Sequence, residues 1–335
     1  MASFKDRYTG AICRLPSLAL AVIVVLLAAN AHQPRVILAA GPTQMYWTDL
    51  GTDKIQRANL DGTSVQDLVT TGLSFPVGIA LDVSGGMMYW ADCCGGEIQR
   101  AKLDGTSVED LVTGLSIPEG IALDVAGGKM YWADLGAVKI QRANLDGTSV
   151  QDLVTTGLSV PGDIALDVTG DKMYWTDEGT DKIQRSNLDG TSVEDLVTGL
   201  AVPNFIALDV PGGMMYWTDA GTDKIHRANL DGTSMEDLVT GLPVPQGIAL
   251  DVTGGKMYWT DAGTKKIQRA NLDGTSVQDL VTTGLAAPRG IALDIQSTTE
   301  PNVPAASQWG LIALAAMLVM VFVWSYMHRS ALLPR

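Results

Sequence analysis

Carboxylates dominate the groups in this chain that could do chemistry, and they recur on a schedule. Asp stands two positions after a Tyr-Trp pair at Asp49, Asp92, Asp134, Asp177, Asp219 and Asp261. A second set, Asp82, Asp124, Asp167, Asp209, Asp251 and Asp294, follows Ile-Ala-Leu, and a third, Asp61, Asp104, Asp146, Asp189, Asp231 and Asp273, opens Asp-Gly-Thr-Ser turns. The second set offers hard oxygens of the kind calcium prefers. Asp also ends strands and starts turns by accepting from nearby backbone amides. That turn role is the expectation; calcium is the alternative, and otherwise no cofactor is expected. Bases and nucleophiles are scarce. The three histidines are His32, His226 and His328, and His226 stands where the other copies carry Gln, which reads as a surface substitution. No Ser-His-Asp or Cys-His set can be assembled from that supply. There is no His-Glu-x-x-His, no Gly-x-Ser-x-Gly and no phosphate-cradling loop. Cys13 lies near the N-terminus, leaving the adjacent Cys93 and Cys94 as a vicinal disulfide, as two plain thiols or as an intermolecular bridge. A zinc site needs more ligands than that pair. The chain therefore reads as a non-enzyme without catalytic or metal-ligating residues.

The spacing of those residues names the elements that must hold them. Tyr-Trp pairs begin at Tyr46, Tyr89, Tyr131, Tyr174, Tyr216 and Tyr258, a period of 42 or 43 residues. Such a period signals a propeller or a helical array. Each copy holds four short runs, typified by Gly-Ile-Ala-Leu-Asp-Val, Met-Tyr-Trp-Thr-Asp, Lys-Ile-Gln-Arg-Ala-Asn-Leu and Val-Gln-Asp-Leu-Val-Thr, with Gly-Gly, Asp-Gly and Gly-Leu-x-x-Pro between them. Those separators are turn signals. β-Branched and aromatic residues recur within runs too short for helices. Four strands make a blade, and six copies predict an all-β, six-bladed propeller. The first copy lacks a Gly-Ile-Ala-Leu-Asp run, whereas the last is followed by a surplus one, Gly290-Ile291-Ala292-Leu293-Asp294. This C-terminal strand is expected to be the innermost strand of the blade that Tyr46 begins, closing the ring and removing an open edge.

Four copies read Tyr-Trp-Thr-Asp and two read Tyr-Trp-Ala-Asp, at Ala91 and Ala133. Residues 41–295 thus resemble the YWTD, or low-density lipoprotein receptor class B, repeat. The resemblance implies that the aromatic pairs, Tyr46-Trp47, Tyr89-Trp90, Tyr131-Trp132, Tyr174-Trp175, Tyr216-Trp217 and Tyr258-Trp259, pack between blades. It implies that the Asp of each tetrad braces neighbouring strands, and that one face of the ring takes protein ligands. The disulfide-rich modules that flank the repeat in animal members are absent from this sequence.

With the copies nearly identical, a specific site must lie where they differ. The pair after each Pro reads Val77-Gly78, Glu119-Gly120, Gly162-Asp163, Asn204-Phe205, Gln246-Gly247 and Arg289-Gly290. The pair after each Tyr-Trp-x-Asp reads Leu50-Gly51, Cys93-Cys94, Leu135-Gly136, Glu178-Gly179, Ala220-Gly221 and Ala262-Gly263. Both sets belong to loops that a propeller places on one face, and variation on one face of a fixed frame marks a binding surface. The candidate ligand face is Glu119, Asp163, Asn204, Phe205, Gln246, Arg289 and Glu178, with Phe205 read as an exposed aromatic anchor. The expected function is recognition of a protein or glycan. A structural or adhesive surface protein is the alternative. A hydrolase or lyase on the same fold is a third reading, since fold alone does not fix function.

Composition and the two ends say where such a ring would work. The 335 residues carry 23 Lys and Arg against 37 Asp and Glu, a net charge of -14. Lys5, Arg7, Arg14, Arg329 and Arg335 lie in the ends with only Asp6 and Glu300, so residues 32–295 carry about -17. That balance excludes a nucleic-acid partner. Residues 1–31 have the layout of a signal peptide with cleavage after Ala31, followed by a short linker over 32–40. Beyond the ring, residues 296–308 form a Pro/Ser/Thr-containing linker. Residues 309–327 are expected to be a transmembrane helix and 328–335 a basic cytoplasmic tail. The run Val303-Pro304-Ala305-Ala306-Ser307-Gln308-Trp309-Gly310 with that helix resembles the PEP-CTERM and IPTL-CTERM bacterial sorting tails. The resemblance implies a sorting protease and a bacterial envelope protein, its ring outside the cytoplasm.

Overall fold

The computed structural model describes residues 43–295. Its regular structure is entirely extended: 24 strands in six antiparallel sheets of four. Numbering the blades I to VI from Tyr46, the inner strands are Pro288–Asp294, Pro76–Asp82, Pro118–Asp124, Pro161–Asp167, Pro203–Asp209 and Pro245–Asp251. The inner strand of blade I is the surplus C-terminal run. It pairs with Gln44–Asp49 in the register Gln44↔Asp294 and Trp47↔Ile291, so the expected closure is present.

Burial falls outward along each blade. The second strands, such as Gln44–Asp49, are buried on both faces from their second residue on. The third strands alternate only in part, and the outer strands expose their first two residues. A blade sandwiched between two others has no solvent face near the axis, which is why Met-Tyr-Trp-Thr-Asp lacks strict alternation. The apolar clusters are accordingly inter-blade layers. In one, Tyr89, Ile98 and Val112 of blade II meet Ile121, Met130, Trp132 and Ala143 of blade III. The equivalent layer between blades VI and I joins Tyr258, Ile267 and Val281 to Met45, Trp47, Ala58 and Ile291. The aromatic pairs therefore pack between blades, as the resemblance implies.

Polar groups stitch the same interfaces. Each third-strand Arg reaches the following blade's turn carbonyl: Arg57 Nη1 donates to Leu103 O at 3.1 Å, and Arg269 Nη1 donates to Leu60 O at 3.2 Å across the closure. The Asp-Gly-Thr-Ser turns are self-capped, with Thr63 N and Oγ1 donating to Asp61 Oδ1 at 2.9 and 2.6 Å. Gly62 is obligatory there, since its φ is +84° and an added Cβ would lie 2.3 Å from Leu280 O of the neighbouring blade.

The signal peptide and linker over 1–40, the linker over 296–308, the helix over 309–327, the tail over 328–335 and Cys13 all lie outside the described residues.

Candidate functional site

Two loop sets share one face. Backbone bonds join the turn after each second strand to the segment leading into the inner strand of the same blade: Leu135 N donates to Ile117 O at 2.9 Å and Glu178 N to Val160 O at 3.0 Å. The opposite face carries the repeated turns, with Leu145 N donating to Gly128 O at 3.1 Å. The variable positions thus gather on one side of the ring.

The tetrad Asp organises that side. Asp134 Oδ2 and Oδ1 accept from Ser116 N and Ile117 N, both at 3.0 Å, and Oδ1 accepts from Ala137 N at 2.9 Å. Asp49 does the same for the closing strand, accepting from Ala286 N at 2.8 Å and Ala287 N at 3.0 Å. All six of these aspartates are buried. They hold the loops of the face rather than face a ligand. The Leu-Asp set is likewise occupied: Asp82, Asp124, Asp167, Asp209 and Asp251 each accept from a glycine amide three residues on, at 2.7 or 2.8 Å. Among the described residues no group of three or more His, Cys, Asp or Glu is placed to hold a metal ion.

The variable pairs sit inside the inner strands rather than in the preceding loops. The register shifts between Pro118 and Ile121, and likewise in the other inner strands, so each pair occupies a bulge. A bulge re-aims side chains and interrupts pairing. The two positions of the pair differ sharply in their surroundings. A Cβ added to Gly78 would lie 2.5 Å from Glu119 O, and one on Gly247 would lie 2.3 Å from Arg289 O. The second position therefore faces the next blade's backbone at close range.

Asp163 and Phe205 occupy that crowded second position, and this corrects the reading of Phe205 as an exposed anchor. Phe205 is 6% exposed and belongs to an apolar cluster that includes Val77 from blade II, on the far side of the axis. Asp163 is 9% exposed, and its Oδ2 accepts from Ile206 N of blade V at 3.0 Å. Burial pushes its carboxyl up to about 7, with the Glu119 charge adding to the effect. Gln246 is also buried. The four copies with Gly at this position carried the signal: a site where glycine prevails is one where a side chain must push into the core.

Above that floor lies a polar mouth. Arg289 Nη1 donates to Gln246 Oε1, which also accepts from Asn204 Nδ2 at 2.9 Å, linking the inner strands of blades I, VI and V. Glu119 is partly buried on the opposite side of this chain. Burial raises its carboxyl pKa, the Arg289 guanidinium pulls it back, and Glu178 raises it further. Glu178 is exposed on the turn of blade IV. The mouth thus offers a cation, amides and carboxylates on one side of the ring, which suits recognition of polar and charged side chains. The structure brings together Glu119, Asn204, Gln246 and Arg289, sinks Asp163 and Phe205 beneath them, and leaves Glu178 on the rim.

His226 corrects a second expectation. It is 2% exposed, not on the surface. In the other five blades Gln fills this position, as in Trp47 Nε1 donating to Gln56 Oε1 at 3.0 Å while Gln56 Nε2 donates to Asp67 Oδ1 at 2.6 Å. His226 keeps the acid beside it, with Nδ1 2.9 Å from Asp237 Oδ1 but outside hydrogen-bond geometry, and stacks on Trp217 at 5.3 Å between ring centroids. It does not accept from the indole, so Trp217 Nε1 is buried without a partner.

Comparison with known proteins agrees with this architecture. Low-density lipoprotein receptor repeat class B matches residues 43–83, 128–168, 171–210, 213–252 and 255–295. Low-density lipoprotein receptor-related protein 4 of Homo sapiens is 47% identical over 38 residues, 11% of this chain and 2% of that protein, and the Mus musculus protein matches to the same extent. The chain thus spans a small part of the curated relatives' length. A solved chain of the nidogen/laminin complex is 28% identical, with a TM-score of 0.71 over 76% of this chain and 98% of its own. With five matched repeats and a closed ring of six blades, the chain belongs to the low-density lipoprotein receptor class B repeat family.

Proposed function

We propose that the ring is a non-enzymatic binding module that recognises a protein or glycan through its variable face, centred on Glu119, Asn204, Gln246 and Arg289 and rimmed by Glu178. The observation that carries this reading is the polar chain Arg289–Gln246–Asn204 across three inner strands, facing Glu119, in an otherwise repeated frame. A similar chain solved in a nidogen/laminin complex supports a protein as the partner class. The apolar N-terminal stretch and residues 309–327 support display outside the cytoplasm on a membrane anchor. The sorting-like run before that segment supports a bacterial envelope and a protease that acts on the tail. Immobilised full-length chain, wild type against Glu119→Ala/Arg289→Ala, tests the reading with envelope and culture-medium proteins and glycans identified by mass spectrometry. A ligand retained by the wild type and lost by the variant is the expected result. Equal recovery from both, with both folded by circular dichroism, overturns it.

A further inference from the structure

The six copies serve as one another's controls, and one turn of blade II departs from its counterpart in all five other blades. After the tetrad Asp, the other blades carry Gly51, Gly136, Gly179, Gly221 and Gly263, while blade II carries Cys94. A Cβ on any of those glycines would come within 2.3–2.7 Å of the segment leading into the inner strand. Cys94 has a Cβ, and the corresponding segment of blade II, Ser74-Phe75, is rearranged around it. Phe75 takes a φ of +66°, whereas Ile117, Val160, Val202, Val244 and Ala287 at the same position do not enter the left-handed region. That region is a genuine outlier for a bulky aromatic residue. Cys94 N gains a bond to Ser74 O at 3.1 Å. Phe75 N donates to Asp53 Oδ1 of blade I at 3.2 Å, although four of its five counterparts, Ile117, Val160, Val202 and Ala287, donate to their own tetrad Asp, as Val160 N does to Asp177 Oδ1 at 3.0 Å. The matched family segments also leave out residues 84–127, the stretch that contains this turn. Backbone strain held in place by its surroundings is a pointer to function.

The strained turn presents two sulfurs together. Cys93 and Cys94 have their Sγ atoms 3.6 Å apart, with Cys94 exposed and Cys93 partly buried against the cluster that holds Phe205 and Val77. A disulfide brings its sulfurs to about 2.05 Å and usually holds its Cα atoms about 4.4 Å or more apart, wider than the 3.8 Å across one trans peptide. Two sulfurs bonded at about 2.3 Å to one centre sit about 3.3 to 3.8 Å apart as the angle between the bonds opens from a right angle to the tetrahedral value. The 3.6 Å separation falls within that chelate bite. No third ligating side chain joins the pair in a metal cluster among the described residues. The fitting centre is therefore soft, and satisfied by two sulfurs plus a group it brings itself.

We propose that Cys93 and Cys94 are a dithiol site for trivalent arsenicals, on the same face as the channel mouth and independent of the ligand that mouth takes. With phenylarsine oxide as the probe, two arsenic–sulfur bonds form, the arsenic–oxygen double bond breaks, and the two thiol protons leave with that oxygen as water. Arsenic stays trivalent and nothing is oxidised or reduced. Burial, with the neighbouring thiol and Glu119 adding to it, pushes the Cys93 thiol up to about 12. A thiol kept protonated is slow in thiolate-driven disulfide exchange and supplies the proton this condensation needs.

The test uses full-length chain carrying Cys13→Ser, reduced and then freed of reductant. Phenylarsine oxide is added, and intact mass is read after a challenge with excess glutathione and then with dithiothreitol. One phenylarsenic group per chain, resistant to the monothiol and removed by the dithiol, is the expected result. It should be lost in both Cys94→Ser, which keeps the Cβ, and Cys94→Gly, which restores the turn of the other blades. A single adduct that glutathione strips, an adduct retained by Cys94→Ser, or a pair that has already become a disulfide and takes no arsenic each overturns the proposal. Circular dichroism of both variants separates a lost site from a lost fold.

Discussion

At the residue scale, two buried titratable side chains set opposing pH responses. Burial lowers the His226 pKa below 6.5, despite the neighbouring Asp237 and Asp219 charges. A histidine held neutral in the folded state contributes stability above its unfolded pKa, and that stability is lost as pH falls below about 6.5. Asp163 runs the other way: its carboxyl is raised from 3.8 to about 7, so its contribution is complete below 3.8 and is lost as pH rises through 7. His226→Gln restores the acceptor that Trp217 Nε1 lacks and should stabilise the ring by about 1–3 kcal/mol at neutral pH, while flattening the acid limb below about 6.5. Asp163→Asn keeps an acceptor for Ile206 N and removes the buried charge. Its stability relative to wild type should rise between pH 5 and 8, by on the order of 2–4 kcal/mol for a shift of this size. Urea unfolding at several pH values reads both, and parallel profiles for variant and wild type would refute either. His226 misled as a sequence because its deviation from Gln was visible while its burial was not. The third strand's alternation, with Ile and the following Gln or His buried together, follows from the packing of neighbouring blades and leaves no mark in a single copy. Phe205 was more legible than its reading. The glycines at the same position in four copies already marked close backbone approach.

At the element scale, the second strand couples blades through its Thr as well as through its aromatics. Thr48 Oγ1 donates to Val77 O of blade II at 2.5 Å and accepts from Gly290 N of the closing strand at 3.0 Å. Thr176 and Thr218 repeat the arrangement, donating to Asn204 O at 2.6 Å and Gln246 O at 2.7 Å. Ala91 and Ala133 forgo it, so the seams from blade II to III and from III to IV lack this hydroxyl. Thr48→Val is nearly isosteric and strands two buried backbone groups, which should cost about 2 kcal/mol. Ala91→Thr adds the missing donor opposite Glu119 O and should gain about 1 kcal/mol. Chemical denaturation of both, against the parent, checks the pair, and a loss of stability in Ala91→Thr would show that this seam has no room for the hydroxyl. The strand order, the closing strand and the two faces were legible because they depend on turn residues and on counting copies. The bulge in each inner strand was not. Pro followed by two variable residues looks like loop, and only the pairing of Pro118 with Asp134 and Ile121 with Trp132 shows that the strand has already begun.

At the scale of the whole molecule, closure decides whether six similar blades behave as a stack or as one unit. An open array of repeats gains stability from each neighbour and can fray at its ends, whereas a closed ring has no terminal repeat. Here the ring is closed by the inner strand Pro288–Asp294, which completes blade I and lies between the inner strands of blades VI and II. Ending the chain at Gln278 removes the pairing partner of Gln44–Asp49. It takes Ala286 and Ala287 from the Asp49 carboxylate and Gly290 from Thr48, and it strips Ile291 from the layer between blades VI and I. A buried carboxylate oxygen, Asp49 Oδ2, and a buried strand edge are then left without partners, a combination that local relaxation of one blade does not repair. The charge of the body, about -17 over residues 32–295, adds repulsion that an opened ring is less able to resist. The truncated chain should therefore lose its cooperative transition as a whole rather than melt one blade early. Calorimetry of the full and shortened chains distinguishes the two. A shortened chain that keeps five-sixths of the transition at an unchanged midpoint would mean that the blades are independent and the closing strand is an accessory.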